Sequence, residues 1–517
     1  MSDKILLLLI LPSLMMSQSI NDSILLKEIN VFESKLQKHS IGSRNDVVNL
    51  LSLNLSINES FSDILQNNTT LYVKRYGSLS TPSFRGTSAS HTLFLWNGIP
   101  INSLSSAQTD LRLIPTNLFN DINISYGGNS TVFGSGSVGG SIHLNNKAVF
   151  KKNKEVSFST ERGSFNMKSY SFATLFSSNK FCFTSNFTNI KDENNFPYSY
   201  YGFDRINEHS LTIGKNINFD IMYKLDEKSE IDFHYWNSDF WREIPGNMTV
   251  PNSTAEQIDK SSRYLLSFEK VLNKYKLKFK NAYLTESLFY DDEPKNIHSF
   301  SEINRFISEL DMNYKINNFH SDISILFSLN NLDNSSYIGI NKTEDNSAVF
   351  TAFSYQSNNF ASEISLRKEY NSSFNVPLIP SFSTQFNLSN LNVRARINKN
   401  FRTPTFNDRF WIGSGANGNP DLNSENGLNK EIGLDYINEY SSHQLTFFTL
   451  KVKDWILWRQ LDNGNWMPEN LKEVKSDGIE WKSIFNFQFN QSNIYSEFNY
   501  QYNISINQKC ISHLDFS

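Results

Sequence analysis

From Glu155 to Ile504 the chain alternates apolar and polar residues, one by one, in stretch after stretch. Leu310, Met312, Tyr314 and Ile316 are separated by Asp311, Asn313 and Lys315; Tyr275, Leu277 and Phe279 are separated by Lys276 and Lys278. Leu391, Val393, Ala395 and Ile397 alternate with Asn392, Arg394 and Arg396, and Ile494, Phe498, Tyr500 and Tyr502 stand among Tyr495, Glu497, Asn499 and Gln501. A strand repeats every two residues, so each stretch has one apolar and one strongly polar face. In a soluble sandwich the apolar face meets a second sheet and the connections are short. Here the polar faces carry full charges, and Asn/Ser-rich segments such as Asp192–Tyr201 and Thr343–Ser347 are read as connections between strands. An antiparallel barrel with its apolar face in lipid and its polar face on a lumen accounts for both features. A soluble β-rich adhesin or repeat protein is the competing reading.

Composition agrees with the barrel. The chain has 517 residues, 42 Phe and 22 Tyr, yet its formal net charge is −4 and its mean hydropathy is −0.43. Only alternate residues of such a barrel meet lipid, so hydropathy stays low while aromatic residues collect at the interfaces. After the N-terminus no stretch supplies the roughly 18 consecutive apolar residues that a helical span needs. No basic patch points to nucleic acid. The only cysteines are Cys182 and Cys510, too few for a disulfide framework. The nine histidines are scattered, with no closed metal-ligand spacing, and no residue constellation supports catalysis. The reading is therefore of a non-enzyme with no cofactor and no metal.

At the start, Lys4 precedes the apolar run Ile5–Leu14 and the small Ser17, which reads as a secretory signal peptide over residues 1–17. Residues 18–34 contain the short alternating segment Leu26, Lys27, Glu28, Ile29, Asn30, Val31, Phe32. It is either the first strand of the next domain or an extended segment that pairs its backbone with a partner's sheet edge. Asp46–Leu51 and Ser60–Leu65 read as short helices or turns, with Ser60 or Ser62 as N-cap of the second. Leu71–Tyr76 returns to strand.

Residues 83–145 have a different grammar. Thr92–Trp96 runs straight into Asn97-Gly98, the pair that best suits a two-residue hairpin turn. Asp121–Tyr126 alternates as a half-buried strand, and the glycines 127, 128, 134, 136, 139 and 140 precede another short strand, Ser141–Leu144. Gly134, Gly136 and Gly139 spell a dinucleotide-binding fingerprint, but that motif needs a helix beginning at its last glycine. The residues that follow, Gly140-Ser141-Ile142-His143-Leu144, read as strand, so phosphate binding is rejected.

Arg85-Gly86, Asn97-Gly98, Ile114-Pro115, Tyr126-Gly127 and the run Phe133–Ile142 with Gly134, Gly136, Gly139 and Gly140 resemble the plug domain of TonB-dependent outer-membrane receptors. In Trp96-Asn97-Gly98, Asn97 stands where that family more often has Asp before the Gly, and Asn serves the turn equally well. Asn400–Phe410, Asn419-Pro420-Asp421-Leu422, Glu425, Glu431-Ile432-Gly433 and Ser476–Glu480 resemble its late-barrel signatures. The resemblance is greatest to the vitamin B12 (cobalamin) receptors of Bacteroidetes-type bacteria. It implies a mainly β fold, with an N-terminal α+β plug domain over 35–150 inside a large transmembrane β-barrel over 151–517. It also implies an outer-membrane location and active uptake of a scarce bulky ligand. Residues 26–32 then become the TonB box, and the partners are the TonB coupling protein with its inner-membrane motor, cobalamin or a ferric siderophore, and outer-membrane lipid. A surface lipoprotein that captures ligand is a further partner. Arg85 is expected to pair with a carboxylate on the barrel wall. Trp96, Trp236, Trp241 and Trp411 are the candidate ligand contacts, with interfacial girdle positions as the equal alternative. A passive porin is disfavoured because porins carry no plug ahead of the barrel.

The alternation gives about 17 strands, whereas the resemblance implies about 22. The sequence after Tyr502 lacks a further alternating, aromatic-ended strand. The expectation is a barrel incomplete at its C-terminus, its first and last strands unpaired with each other, and so a truncated receptor.

Overall fold

The computed structural model describes residues 34–48, 60–76, 79–246, 252–337, 339, 341–413, 415–489 and 492–507. It divides into two units, residues 1–38 and 39–517. In the first, Lys35–Lys38 forms one helical turn closed by reciprocal contacts: Gln37 N donates to Ser34 Oγ, and Ser34 N to Gln37 Oε1, each at 3.2 Å. The signal segment 1–17 and the segment Leu26–Phe32 lie outside the described residues.

The second unit is built from a long antiparallel sheet that curls into a ring. Successive long strands pair with their chain neighbours from Asn153–Arg162, Lys168–Ser177 and Phe181–Asp192 through to Trp466–Phe489 and Ser492–Asn507. Their sides are inverted relative to a water-soluble protein. On Phe319–Asn334, Asp322, Ser324, Ser328 and Asn330 are buried while Ile323, Ile325, Phe327 and Leu329 are exposed. On Thr212–Asp226 the buried set is Asn216, Asn218 and Asp220, and the exposed set includes Ile213, Ile217, Ile221 and Tyr223. Only lipid offers that outer face a favourable solvent. Tight turns close one end of the barrel, at Asn273-Lys274 and Asn317-Asn318, where Asn273 and Asn317 take φ of +48° and +51°. Beside these turns stand cross-strand aromatic pairs: Tyr275 with Tyr314 at 4.9 Å, Phe319 with Tyr355 at 5.0 Å and Phe360 with Phe386 at 4.9 Å between ring centres. They form an interfacial girdle at this rim. The opposite end carries the long connections 193–211 and 403–424.

Three readings are corrected here. Thr343–Ser347 is no connection but part of the strand Asn341–Gln356. Its polar residues sit towards the long-loop end, beyond the apolar band, where neither face needs lipid-soluble side chains. Asp46–Leu51 is no helix or turn over its described part: Asn45–Val48 is a strand paired with Asp121–Tyr126. The ring order sets the first strand beside the last. They are neighbours in the closed order, against the expectation that the first and last strands stand unpaired, and each is also laddered to its other neighbour. Every residue of Asn153–Arg162 except Glu161 is exposed, Val156 and Phe158 by 61% and 68%.

A small domain fills the lumen. Its sheet runs in the order Asn45–Val48, Asp121–Tyr126, Gly140–Asn145, Thr92–Trp96, Ile99–Pro100, with the last long pair parallel. The turn between Thr92–Trp96 and Ile99–Pro100 has φ of +47° at Asn97 and +86° at Gly98, the two positive values an Asn-Gly hairpin turn requires. Helix Phe61–Asn68 starts at Ser60, whose hydroxyl accepts from Asp63 N at 3.2 Å. Strands Tyr72–Tyr76 and Leu79–Ser83 form a separate hairpin. A single helical turn, Ser130–Phe133, lies inside the glycine-rich run, and the strand after Gly139 leaves no helix to hold a phosphate. The core of Phe61, Ile64, Phe94, Trp96, Ile124 and Ile142 continues outward into Trp236, Leu265 and Leu284 of the wall.

Candidate functional site: a buried latch below an outer cavity

Two arginines of the inner domain, Arg44 and Arg85, grip two carboxylates of the wall, Glu431 and Glu480. Arg85 has φ of +51°, uncommon for a bulky side chain, and Gly86 follows at +75°. This turn aims the guanidinium outward. Arg85 Nε and Nη2 donate to the two oxygens of Glu480 at 2.9 and 3.0 Å, and Nη1 donates to Glu431 at 2.7 Å. Arg44 Nη1 reaches the same Glu480 at 3.1 Å and its Nη2 reaches Asp46 at 3.2 Å. Tyr126 donates its hydroxyl to Asp46 at 2.9 Å and lays its ring 4.3 Å from the Arg44 guanidinium; Phe448 does the same for Arg85 at 4.3 Å. All these side chains are buried. Burial alone lowers the pKa of both arginines, but the carboxylates more than offset it and hold both firmly charged. Burial, with Asp46 adding to it, raises the Tyr126 phenol, which stays a donor. The glycines permit this approach: a Cβ on Gly127 would stand 2.5 Å from Glu431 and 2.8 Å from Arg85.

Higher in the lumen His91 Nε2 meets Glu425, which also accepts from Arg402 Nη2 and from Ile456 N, each at 2.7 Å. His39 pairs with Glu363 at 2.9 Å, and Arg242 of the wall with Asp110 of the inner domain at 2.8 Å. Burial raises the Asp110 carboxyl although Arg242 opposes the shift. One inner-domain histidine differs from these. His143 touches Ser141 Oγ at 2.9 Å and packs edge-on against Phe133, and burial, helped by Lys280, lowers its pKa to about 3. In the unfolded chain the imidazole takes up a proton below about pH 6.5, whereas the folded one resists. Stability of the inner domain therefore falls as pH drops from about 6.5 towards 3. The His143→Gln variant is expected to show a shallower decline of thermal midpoint between neutral pH and pH 5; an unchanged slope would remove His143 from this account.

Above the latch, at the long-loop end, lies a cavity of about 170 Å³. The inner domain contributes Ser90, Leu93, Pro100, Asn102 and Gly134 to Gly136; the wall contributes Arg305, Glu344, Arg367, Glu369, Arg402 and Arg409. Helix Phe406–Phe410 closes over it, with Phe406 N and Asn407 N donating to Leu104 O and Ser105 O of the inner domain at 3.2 and 3.0 Å.

The residues singled out in the sequence divide accordingly. Arg85, Gly86 and Gly127 meet at the latch, and Gly134 and Gly136 border the cavity. Asn97 and Gly98 form the hairpin, Gly139 and Gly140 pack against Phe84, and Pro115 caps the turn Thr116–Leu118. None of the four tryptophans borders the cavity. Trp96 and Trp236 are buried against each other, 6.2 Å between ring centres, so Trp236 is neither a loop residue nor a girdle residue. Trp241 donates to Glu256 at 3.1 Å, and Trp411 bridges to Tyr337. The four arginines at the cavity were missed; only Arg402 and Arg409 lay within a recognised motif. Asp291 at the end of its strand is hydrogen-bonded to His298 at 2.5 Å, and Glu293 lies beside them, the three within 4.8 Å of one another.

The family described as TonB dependent receptor-like, beta-barrel matches residues 60–511. The chain belongs to that family. Its members are outer-membrane receptors, and the relatives found are transporters and receptors rather than enzymes. This TonB-dependent receptor is 22% identical over 439 residues to the vitamin B12 transporter BtuB of Vibrio vulnificus, covering 79% of this chain and 67% of that one. It is 32% identical over 146 residues to the vitamin B12 transporter BtuB of Photobacterium profundum, covering 27% and 24%. Among solved structures, the siderophore receptor PirA from Pseudomonas aeruginosa superposes with a TM-score of 0.71 at 15% identity, over 90% of this chain and 85% of that one. That likeness concerns the fold of the TonB-dependent receptor barrel.

Proposed function

We propose that this receptor carries out TonB-coupled active uptake across the outer membrane, and that its ligand is a corrinoid of the vitamin B12 class. The observation that carries the reading is the latch: an inner domain held in the lumen by buried but breakable ion pairs, below a cavity at the long-loop end. Such a domain blocks free diffusion, and the outer membrane has no nucleotide energy source, so displacing it needs a mechanical partner. The TonB protein and its inner-membrane motor supply that pull in this reading. Residues 1–17 serve as export signal, and Leu26, Lys27, Glu28, Ile29, Asn30, Val31 and Phe32 form the pairing segment, ahead of a plug over 35–150 and a barrel over 151–517. The vitamin B12 transporters among the relatives support the corrinoid. A second reading, a ferric siderophore, is favoured by the arginines at the cavity.

Uptake of labelled cobalamin and of labelled ferric siderophores, in cells with and without TonB, tests the reading. TonB-independent accumulation of either ligand would overturn it. The variant Ile29→Pro removes an N–H and fixes φ, which spoils strand pairing. Uptake is expected to fall to background while surface binding of ligand persists; full uptake by this variant would place the coupling segment elsewhere.

A further inference from the structure

The lysines at the tight-turn end of the barrel are gathered in one sector. The turns there end in Lys180, Lys228 and Lys274, whereas the four that follow, 317–318, 357–359, 389–390 and 438–440, carry no lysine. Between the turns at Lys228 and Lys274 lies an open groove of about 880 Å³. Lys228, Lys270 and Lys274 are its basic groups, and Leu272, Tyr275 and Tyr314 supply its apolar side. Lys270 breaks the pattern of its strand. It follows Tyr264, Leu266 and Phe268 on the outward face of Glu256–Leu272, where a cation must reach the membrane surface to stay solvated.

The backbone fixes the frame of this groove: Val271 N donates to Lys228 O at 2.8 Å, and Lys315 N to Lys274 O at 2.9 Å. Two acids line it, Asp226 and Glu227. Asp226 faces Lys270, but its oxygens accept from Lys228 N at 2.7 Å and Ser229 Oγ at 3.1 Å. Glu227 is exposed. Behind the groove, buried Glu269 is held by Lys276 at 2.5 Å and Lys278 at 3.1 Å, and Glu230 stands opposite Lys224 in the next ladder. Three cations therefore meet two carboxylates in the groove, and none of the three closes an ion pair among the described residues.

We propose that this groove seats the headgroup of an anionic glycerophospholipid, its phosphate against Lys228, Lys270 and Lys274 and its first acyl methylenes along Leu272, Tyr275 and Tyr314. Position selects a lipid over a soluble anion. The groove adjoins the aromatic girdle, where headgroup and hydrocarbon meet. Its apolar side continues along the outer wall into the cross-strand pair Phe268 and Phe279, both exposed. The short turns of such barrels lie on the periplasmic side, where the leaflet is glycerophospholipid. The surplus cation selects an anionic headgroup over a zwitterionic one, whose ammonium would add to the lysines. The inference rests on the barrel and is independent of what the receptor transports.

The test measures, by native mass spectrometry, the lipid retained by the full chain in detergent, with phosphatidylglycerol as probe and phosphatidylethanolamine at equal mole fraction as comparison. The wild type is expected to retain phosphatidylglycerol about fivefold better, the effect of one net cation at a membrane surface. A chain carrying Lys228→Gln, Lys270→Gln and Lys274→Gln together is expected to lose that preference, and the corresponding Lys→Arg chain to keep it. Glu227→Gln removes an exposed acid and should sharpen the preference; it decides the question alone if the triple variant does not fold. Equal retention of the two lipids by the wild type would overturn the site, as would an unchanged preference in either the Lys→Gln chain or Glu227→Gln. Displacement of the lipid by inorganic phosphate, against chloride at equal ionic strength, would assign the groove to a soluble anion and overturn it as well.

Discussion

Replacing Arg85 by Met is expected to loosen the inner domain inside an intact barrel. The substitution keeps the aliphatic stem but removes every donor that Glu431 has from this arginine and two that Glu480 has. Removing one partner of a buried ion pair costs about 3–5 kcal/mol, because the other charge stays buried and uncompensated. Glu480 retains Arg44 at 3.1 Å, so the loss concentrates on Glu431. The measurements are protease sensitivity of the inner domain and ion conductance in planar bilayers, both of which should rise while heat-resistant barrel structure persists. Adding Glu431→Gln to the same chain removes the stranded charge, leaves the Arg44–Glu480 pair intact, and should recover much of the protection. An Arg85→Met protein as protease-resistant and as non-conducting as the wild type would show that the latch does not hold the domain.

The second large effect is expected at Gly140. A Cβ there would stand 2.6 Å from two atoms of the Phe84 ring and 2.6 Å from the backbone oxygen of Ser125 on the paired strand. Ser125 cannot yield without breaking the sheet, and Phe84 is itself enclosed. Gly140→Val should therefore cost more than the roughly 1–3 kcal/mol usual for overpacking. Gly136 offers a contrast. Its nearest neighbour would be 3.8 Å away, so the space is open, but its φ is +91° and any side chain there strains the backbone. That strain costs on the order of 1–3 kcal/mol. Denaturant midpoints of the inner domain should rank wild type, Gly136→Val, Gly140→Val in falling order. The reverse order of the two variants would mean that contact is not what restricts Gly140. Neither glycine serves a phosphate, so nucleotide binding by the full chain would contradict the structural role.

How much of this was readable in the chain depended on the range of the signal. Alternation is local, and it disclosed strands such as Ile297–Ile316 and Leu391–Arg402 directly. The Asn97-Gly98 turn and the Ser60 cap are likewise set by neighbouring residues. The need of Arg85 for a carboxylate was legible, but its partners stand 346 and 395 residues away, and one sequence cannot reveal them. Asn45–Val48 was misread because a strand of four residues, buried on alternate positions, looks the same as a turn of helix. The tryptophans misled for a related reason. An aromatic residue in an alternating stretch points either to lipid or to the lumen, and Trp236 faces inward because Trp96 and Phe119 of the inner domain wait there, 6.2 and 5.3 Å between ring centres.

The strand Asn45–Val48 sits at an edge of the inner sheet and is held on one side only, by four residue pairs with Asp121–Tyr126. Arg44, immediately before it, shares Glu480 with Arg85. Tension travelling down the chain towards this strand thus meets the His39–Glu363 pair and then the Arg44–Glu480 bond before it reaches the ladder. An edge strand drawn from one end ruptures pair by pair, as a zipper does, instead of shearing all its pairs at once. The lowest-force route into the lumen therefore runs through these two pairs and proceeds by peeling a single strand, while the parallel pair Thr92–Trp96 and Gly140–Asn145 at the centre of the sheet stays seated.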